Sequence, residues 1–533
     1  MKRFGVMLDM SRNAVMKPQQ VKDYACILKK MGYNMIQLYT EDTYEVENEP
    51  YFGYMRGKYS VEELKDIVTY CQSIDMEVIP CIQTLAHLNQ MFKWNQYKEI
   101  NDYADILLVG ESRTYELIEN MFKTLRKCFT SEYVHIGMDE AHMLGLGKYL
   151  DKHGVTKRFD ILCGHLQKVI EIAEKYGFKP IMWSDMFFRL ANQGEYYPED
   201  PTLTEEAKAS IPPQIGLVYW DYYFDEQEHY EKMMKAHLKA ENEIWFAGGA
   251  WTWTGFASGN YKTLHKMIPA MRAAKSCGIE NIFMTMWGDN GKECSFYSVL
   301  PSLYTIRRSY DGETNITKIK AEFKEIVGED YDAMSALDCP NYIGGNLDSS
   351  GNVCKHMLYS DPFSGFLDVT VKNGGVEEYK TYASRLHSYA KASAKYGYLF
   401  ESEALLCELM SVKYDLGVRT RQAYKAGDKE AIIRIAEDYE KALQLLEKYH
   451  ESFQTLWYTE NKPYGFDVQD IRLGGLMQRL KSCRRRLLEY AQGTIENIPE
   501  LEEELLPYDA GKITDGDTPC LNSWAGNASV NIL

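Results

Sequence analysis

The chain has 533 residues, 45% of them hydrophobic, and carries 77 acidic against 60 basic side chains for a formal net charge of −17. This length exceeds a single ordinary core and predicts one large domain of roughly 250 to 330 residues plus a second unit. The acidic balance argues against nucleic acid or an anionic membrane as a partner and favours a neutral substrate.

The opening stretch, MKRFGVMLDM, has a basic pair and then only a short apolar run before Asp9, which is too short for a signal-peptide core. No segment approaches the ~18 apolar residues of a membrane span. The twelve cysteines are scattered without a CxxC pair, as is typical of buried thiols in a reducing compartment. We therefore expect a cytoplasmic monomer or homodimer.

Eight short apolar or β-branched runs recur along the first 290 residues. Each is followed by a stretch with apolar residues at helical spacing, such as SVEELKDIVTYCQSIDM. Alternating strands and helices predict a parallel sheet, and eight repeats predict a closed (β/α)8 barrel. A doubly wound open sheet is the alternative, but no GxGxxG opens any of these helices. The predicted strands are Phe4–Asp9, Met35–Thr40, Glu77–Gln83, Tyr133–Asp139, Pro180–Asp185, Ile215–Asp221, Ile244–Trp251 and Ile282–Trp287.

The remainder of the chain has a different character. We predict a catalytic barrel over 1–310, an irregular connection rich in turn formers over 311–375, an α-helical domain over 376–506 and a loose tail over 507–533. The basic run KSCRRRLLEY fits a solvated helix face rather than a nucleic-acid site.

Polar residues fall at or just beyond the predicted strand ends, the face where such barrels carry out their chemistry. In HIGMDE, at 135–140, a strand would place His135, Gly137 and Asp139 on one face, and Glu140 in the loop above the same pocket. Two neighbouring carboxyls can serve as acid and as charged group if their surroundings differ. Alone, the pair also fits the polar end of an ordinary strand. The other strand-end residues are Asp9, Glu41, Gln83, Asp185, Asp221 and Asp289.

Five of the nine tryptophans occur at the ends of predicted strands five to eight. Each could fill the top layer of the barrel, but together they favour an aromatic cup for a sugar face or a small acyl group. They are Trp183, Trp220, Trp251, Trp253 and Trp287.

Other chemistries lack their signatures. The eleven histidines form no HExxH or HxH, there is no GxSxG, and there is no GxxxxGK[ST]. Catalysis by carboxylates, without a metal or another cofactor, is the interpretation that remains.

These motifs resemble the β-N-acetylhexosaminidases of glycoside hydrolase family 20 over roughly residues 4–305. HIGMDE resembles the family's H-x-G-G-D-E signature, and FGVMLDMSR, LYTED, EVIPCIQTLAHL and MWGDN resemble its other strand ends in the right order. A helical C-terminal region and no extra domain before the barrel resemble a bacterial subgroup.

The resemblance implies a retaining, substrate-assisted mechanism. Glu140 would protonate the leaving oxygen, and Asp139 would orient the 2-acetamido group whose carbonyl oxygen attacks the anomeric carbon to give an oxazolinium ion. Trp183, Trp220 and Trp287 would enclose the acetamido methyl group.

The same resemblance assigns further roles. Glu41 and His87 would support Glu140 through hydrogen bonds, and Asp289 would accept sugar hydroxyls. The family's Tyr-x-Asp is not evident at strand seven, so Tyr222 is the candidate for the tyrosine that bonds the acetamide oxygen.

Three other departures from the family pattern involve four positions. Phe4 stands where an arginine usually clasps the outer sugar hydroxyls, Cys81 and Gln83 replace two acids and leave His87 with a neutral neighbour, and Met138 replaces the second glycine of the signature.

The predicted function is an exo-β-N-acetylhexosaminidase acting on terminal GlcNAc, with GalNAc as an alternative, of small oligosaccharides or glycoconjugates. Two other readings stay open: a retaining glycosidase with an enzyme carboxylate as nucleophile, and a non-catalytic sugar-binding barrel.

Overall fold

The computed structural model describes residues 1–345, 347, 352–508 and 523–533. Eight parallel strands close into a barrel in the order β1 to β8, and β1 pairs with both β2 and β8. The predicted (β/α)8 barrel is confirmed. The strands are β1 Arg3–Asp9, β2 Met35–Tyr39, β3 Glu77–Cys81, β4 Tyr133–His135, β5 Lys179–Trp183, β6 Gly216–Trp220, β7 Ile244–Gly249 and β8 Asn281–Met286.

Helices surround the barrel and pack their apolar faces on it. In α2, the Ser60 hydroxyl accepts from the Glu63 amide while the Glu63 carboxylate accepts from the Ser60 amide, a capping box that sets the helix start. The barrel helices are α1 Pro18–Lys30, α2 Val61–Ser73, α3 Ser112–Cys128, α4 Lys148–His153, α5 Arg158–Lys175, α6 Asp185–Ala191, α7 Glu205–Ser210, α8 Gln227–Leu238, α9 Asn260–Ser276 and α10 Leu300–Asp311.

Several strands end earlier than predicted, most clearly β4. It ends at His135, and Gly137, Met138 and Glu140 have φ angles of 70°, 69° and 50°. Positive φ is incompatible with an extended strand, so the chain turns above the barrel before it reaches Asp139. The acidic pair therefore lies on a loop rather than on a strand face.

The barrel interior is filled below the top layer by side chains such as Met7, Ile79, Val218, Trp245 and Phe283, all fully buried. This packing follows from the alternation of side chains along each strand. The inside of the barrel is therefore packed with side chains below the carboxyl ends of its strands.

The C-terminal part of the chain is helical. The segment 311–375, predicted as an irregular connection, contains the helices α11, α12 and α13. In α11, Ile319, Phe323 and Val327 recur at helical spacing and are buried, which outweighs the turn formers that follow. The helices are α11 Ile316–Val327, α12 Tyr331–Ser335, α13 Val353–Tyr359, α14 Gly375–Ala392, α15 Gly397–Lys413, α16 Leu416–Lys425, α17 Lys429–Glu460, α18 Phe466–Ala491, α19 Pro499–Glu502 and α20 Trp524–Ala528.

The boundaries at 310, 375 and 506 stay predictions. Most of the predicted tail, 509–522, lies outside the described residues, whereas Trp524 in α20 donates its backbone N–H to Asn290 Oδ1 at 2.9 Å. In the described part of the chain, no helix is both long enough and apolar enough to cross a membrane.

Candidate active site

A pocket of about 130 Å³ opens at the carboxyl ends of the barrel strands. Ligand sites commonly measure roughly 300–1,000 Å³, so this pocket suits a single small unit. Every strand contributes to it directly or through the loop that follows. The lining residues are Arg12, Tyr39, His87, Asp139, Glu140, Trp183, Trp220, Tyr222, Tyr223, Trp253, Trp287 and Asp289.

Asp139 and Glu140 occupy the turn after β4. Asp139 is buried, whereas the Glu140 side chain is 43% exposed and its backbone N–H donates to Asp185 Oδ2 at 3.1 Å. The turn requires glycine at 137, because a Cβ there would lie 2.1 Å from Gln83 Oε1. One carboxyl is thus enclosed and the other faces the pocket mouth.

The surroundings of Asp139 keep it ionised. Gln83 Nε2 donates to Oδ1 at 2.8 Å, and His87 Nε2 lies 3.2 Å from Oδ2. Burial alone would raise the pKa of Asp139, but the charge of His87 and the Gln83 hydrogen bond outweigh it and lower that pKa.

His87 is the cationic partner of this carboxylate. Burial alone would lower the pKa of His87, but Asp139 and then Glu41 raise it to about 10. Its Nε2 also lies 3.7 Å from Glu140 Oε2. His87 therefore carries its proton at neutral pH and lies between the two acids. The family resemblance implied a neutral neighbour for His87, but in the structure its partners are the carboxyl groups of Asp139 and Glu140.

Glu41 does not line the pocket itself but is buried against two residues that do, Tyr39 and Arg12. Its Oε1 accepts from the Tyr39 hydroxyl at 3.0 Å and lies 3.1 Å from Arg12 Nη1. Burial raises the pKa of Glu41 to about 7 against the opposing charge of Arg12. Its described contacts are thus with Arg12 and Tyr39, rather than the direct contact with Glu140 that was expected.

Aromatic rings form the walls. Trp183 is almost completely buried at the floor, and its ring centroid lies 6.1 Å from that of Trp287. Trp287 Nε1 donates to the Tyr222 hydroxyl at 3.2 Å, and Tyr222 stacks on Trp220 at 5.7 Å. These contacts hold the rings rigidly around the space in front of the acidic pair.

Trp251 does not line the pocket, although the sequence placed it in the aromatic cup. It is buried behind Trp253, with ring centroids 4.4 Å apart. β7 ends at Gly249, so Trp251 lies on the loop that follows, where its backbone pairs with that of Gly259. The other four predicted tryptophans do line the pocket.

Asp289 and Arg12 lie at the β8 and β1 side of the pocket. Burial raises the pKa of Asp289 to about 6, opposed by the charge of Arg12. Arg12 was not among the predicted site residues, although it stands three residues beyond Asp9 in the FGVMLDMSR stretch. Tyr39 and Tyr223 were missed as well, because single tyrosines carry no distinctive signal.

Phe4 does not line the pocket that contains Arg12 and Asp289. It is fully buried and packs on Tyr33 and Tyr310, with centroids 5.2 and 5.4 Å apart. Its side chain therefore belongs to the layer between barrel and helices, and the only arginine lining the pocket is Arg12, among the described residues.

Two family descriptions match the chain. The sequence model of the "Glycosyl hydrolase family 20, catalytic domain" matches residues 4–206, and that of the "Glycoside Hydrolase 20C C-terminal domain" matches residues 329–518. Together the two matches cover most of the chain: the first includes β1 to β5 of the barrel, and the second includes most of the helical C-terminal part.

Hexosaminidase D of Bos taurus is 23% identical over 246 residues, which cover 43% of this chain and 64% of that protein. Hexosaminidase D of Homo sapiens is 24% identical over 213 residues, covering 38% of this chain and 41% of that protein. The matches thus span less than two thirds of either relative.

Among solved structures, a chitobiase from Flavobacterium johnsoniae has a TM-score of 0.49 at 15% identity, covering 94% of this chain and 74% of that one. A β-N-acetylhexosaminidase from Bacteroides fragilis has a TM-score of 0.47 at 17% identity, covering 63% and 71%. On the two family matches, which agree with the motifs at the strand ends, this chain belongs to glycoside hydrolase family 20.

Proposed function

We propose that this protein is an exo-acting β-N-acetylhexosaminidase that removes terminal β-linked GlcNAc or GalNAc. The acetamido group of the substrate is the nucleophile, and Asp139 and Glu140 assist it. One observation carries the proposal: a carboxylate held ionised by His87 and a second, more exposed carboxyl open together into a small pocket walled by aromatic rings. Membership of family 20 supports it.

In the first step, the acetamido carbonyl oxygen of the substrate forms a bond to the anomeric carbon. The bond from that carbon to the leaving oxygen breaks, and this oxygen takes its electron pair and the proton of Glu140. The oxazolinium ion that forms carries a positive charge, which the Asp139 carboxylate stabilises. Asp139 accepts the acetamido N–H and so fixes the group for attack.

The aromatic rings that line the pocket also help to orient the acetamido group. Trp183 and Trp287 line the pocket and would enclose the acetamido methyl group, and the Tyr222 hydroxyl beside them accepts a hydrogen bond from Trp287 Nε1. An intramolecular nucleophile reacts only when it is pressed against the reacting carbon, so rigid walls lower the entropic cost of the step.

In the second step, water attacks the anomeric carbon and the Glu140 carboxylate takes its proton. The bond to the acetamido oxygen breaks and the sugar leaves with its configuration retained. Each residue is thereby returned to its starting state.

The direct test compares p-nitrophenyl β-glycosides of GlcNAc, GalNAc and glucose. We expect turnover of at least one acetamido sugar and none of the glucoside, which lacks the internal nucleophile. Cleavage of the glucoside with a trapped enzyme ester would favour an enzyme nucleophile, and tight binding of GlcNAc without turnover would favour a sugar-binding protein.

Asp289 gives a pH-dependent prediction. Its pKa is raised to about 6, so the carboxylate that accepts sugar hydroxyls is present above that pH and is protonated below it. Charge-assisted hydrogen bonds are roughly twice as strong as neutral ones, so KM is expected to rise by several-fold as the pH falls from 7 to 5. In Asp289→Asn the part of this rise in KM that comes from Asp289 should disappear. If KM depends on pH in the same way in the variant and in the parent, Asp289 is not the group that titrates.

The C-terminal domain holds the loop that carries Asp289. Lys355 of α13 and Arg472 of α18 both reach the buried Glu293, at 2.9 and 3.1 Å, and both donate to the Asn290 carbonyl, at 3.2 and 2.7 Å. Asn290 has a φ of 52°. These contacts from a distant part of the chain hold the residue that follows Asp289 in an unfavourable backbone conformation.

We therefore expect Lys355→Met to raise KM by about tenfold with a smaller change in kcat, because a lost charged hydrogen bond of roughly 1.5–3 kcal/mol loosens this loop. Lys380→Met, at an exposed ion pair of α14, is the matched control and should change neither constant. In an Asp289→Asn background, Lys355→Met should raise KM much less than it does in the parent. An equal rise in KM in both backgrounds would show that Lys355 does not act through Asp289.

A further inference from the structure

Asp185 is one of the acids that follow the barrel strands, and the mechanism proposed above gives it no role. It comes two residues after Trp183, at the start of α6, and its side chain is fully buried. Asp185 does not line the pocket. Its Oδ2 nevertheless accepts the backbone N–H of Glu140 at 3.1 Å, so Asp185 contacts the turn that carries the acidic pair.

Side chains from two neighbouring strand ends hold the backbone of this turn. The N–H of Met138 donates to Gln83 Oε1 at 3.2 Å, and the N–H of Glu140 donates to Asp185. Gln83 follows β3 and Asp185 follows β5, so the turn after β4 is held from both flanking strands. Met138 and Glu140 have φ angles of 69° and 50°, which residues other than glycine rarely adopt and keep only when their surroundings stabilise them. The two hydrogen bonds therefore fix a backbone that would otherwise relax.

The contact with Asp185 matters because the Glu140 side chain itself is weakly held. This side chain is 43% exposed, and its approach to His87 Nε2, at 3.7 Å, is longer than a hydrogen bond. The place of the Glu140 carboxyl group is consequently set by the backbone that carries it. Asp185 holds that backbone at its amide group.

Packing alone does not explain a carboxyl group at position 185. Burial and then the charge of Asp139 raise the pKa of Asp185, so the ionised form is disfavoured there. Within the described residues, Asp185 Oδ1 is buried without a hydrogen-bond partner, and Arg189 Nε lies 3.8 Å from Oδ2. A leucine, which has a similar shape, would fill the space without burying a polar group. What the carboxyl group supplies, and leucine cannot, is the acceptor for the Glu140 N–H.

We propose that Asp185 is a positioning residue for the general acid: it holds the backbone of Glu140 so that the Glu140 carboxyl group meets the leaving oxygen. Asp185 acts through Glu140 and does not touch the substrate. The inference rests on the role proposed for Glu140 and adds to the proposed function a residue that the pocket lining does not include.

The test compares kcat/KM for p-nitrophenyl and 2,4-dinitrophenyl β-GlcNAc, because this constant reports the first step and the dinitrophenyl group leaves without a proton. Asp185→Leu removes the acceptor and is expected to lower the p-nitrophenyl value by about 10²-fold, the cost of a misplaced catalytic group. The loss for the dinitrophenyl substrate should stay below about threefold. Asp185→Asn keeps an oxygen that can accept the N–H and should stay within about fivefold of the parent on both substrates.

A second background separates positioning from a general disturbance of the fold. In Glu140→Gln, the added Asp185→Leu should lower kcat/KM by less than about twofold, because the proton transfer that Asp185 supports is already absent. Asp102→Leu is the matched control. Asp102 is also buried, and it accepts the backbone N–H groups of Gly145 and Tyr149, farther along the same segment, at 3.0 and 2.8 Å. Any loss in that variant should be equal for the two substrates.

If Asp185→Leu does not fold, Asp185→Ala gives the same comparison. Three results would overturn the inference and leave the proposed function intact: equal losses on the two substrates, full additivity with Glu140→Gln, or an asparagine variant as impaired as the leucine variant. A parent protein that cleaves neither glycoside would instead overturn the proposed function.

Discussion

Replacing Glu140 with glutamine is expected to lower kcat for p-nitrophenyl β-GlcNAc by about 10²- to 10⁴-fold, the contribution of a positioned general acid and base. Glutamine keeps the shape of the side chain but can neither give nor accept the transferred proton. Because the Glu140 side chain is 43% exposed and glutamine can keep its 3.7 Å approach to His87, the affinity for GlcNAc should stay within about threefold.

Leaving-group dependence separates this role from a general loss of activity. A 2,4-dinitrophenyl leaving group needs no proton, so the variant should form the intermediate from that substrate at close to the parent rate. Azide should then accelerate the second step, since it attacks without a base. Glu132→Gln, which replaces a carboxylate that is 70% exposed on the barrel surface, serves as the control. Near-parental turnover of Glu140→Gln on the p-nitrophenyl substrate would contradict the assignment.

Asp139→Asn is expected to lower kcat/KM for acetamido substrates by about 10²- to 10³-fold, the usual effect of removing one electrostatic stabiliser of a transition state. The carboxylate is held by Gln83 and His87 and would face the positive charge of the oxazolinium ion. Asparagine keeps the volume but removes the charge, and leaves the protonated His87 without its nearest counter-ion.

A thiazoline mimic of the cyclised intermediate makes this prediction specific. The parent should bind the mimic at least about 10²-fold more tightly than GlcNAc, as expected for an analogue of the transition state. Asp139→Asn should lose most of that preference, whereas Asp66→Asn on the exposed face of α2 should keep it. Equal affinity of the parent for the mimic and for GlcNAc would rule out participation by the substrate.

The pH range of the Asp139–His87 pair follows from the same contacts. The pKa of His87 is raised to about 10, so its contribution to stability is complete below its ordinary value near 6.5 and is lost as the pH rises towards 10. The pKa of Asp139 is lowered, so its contribution is complete above its ordinary value near 3.9 and is lost as the pH falls further. The ion pair is thus intact throughout the neutral range.

Local patterns in the sequence were enough to predict the barrel. Short apolar runs such as Met35–Thr40 followed by amphipathic stretches predict strand and helix alternation, because burial on both faces of a parallel strand leaves little choice of residue. Strand ends were less well predicted. β4 stops at His135 because Gly137 and Met138 adopt positive φ angles, which a strand does not allow. Gly137 also has no Cβ, and a Cβ at this position would collide with the Gln83 side chain.

Which side chains meet in the pocket was only partly predictable. The acidic pair and four of the tryptophans lie where the strand-end pattern placed them, since parallel strands bring their carboxyl ends to one rim. Trp251 follows the same pattern but turns behind Trp253. Arg12 lines the pocket, whereas Phe4, at the position of the family's arginine, is buried against Tyr33 and Tyr310. No feature of the residues around Arg12 in the sequence indicated that it belongs to the site.

The order of strands and helices, the position of the acidic pair at the barrel rim and the family resemblance were thus determined by the sequence itself, because all three depend on neighbouring residues and fixed periods. The charge state of Asp139 was decided by the tertiary structure, since it depends on His87, which lies far away in the chain. The same holds for the Asp289 loop, whose conformation depends on Lys355 and Arg472. Electrostatic and packing energies fall off over a few ångströms of space, and distance along the chain does not measure that separation.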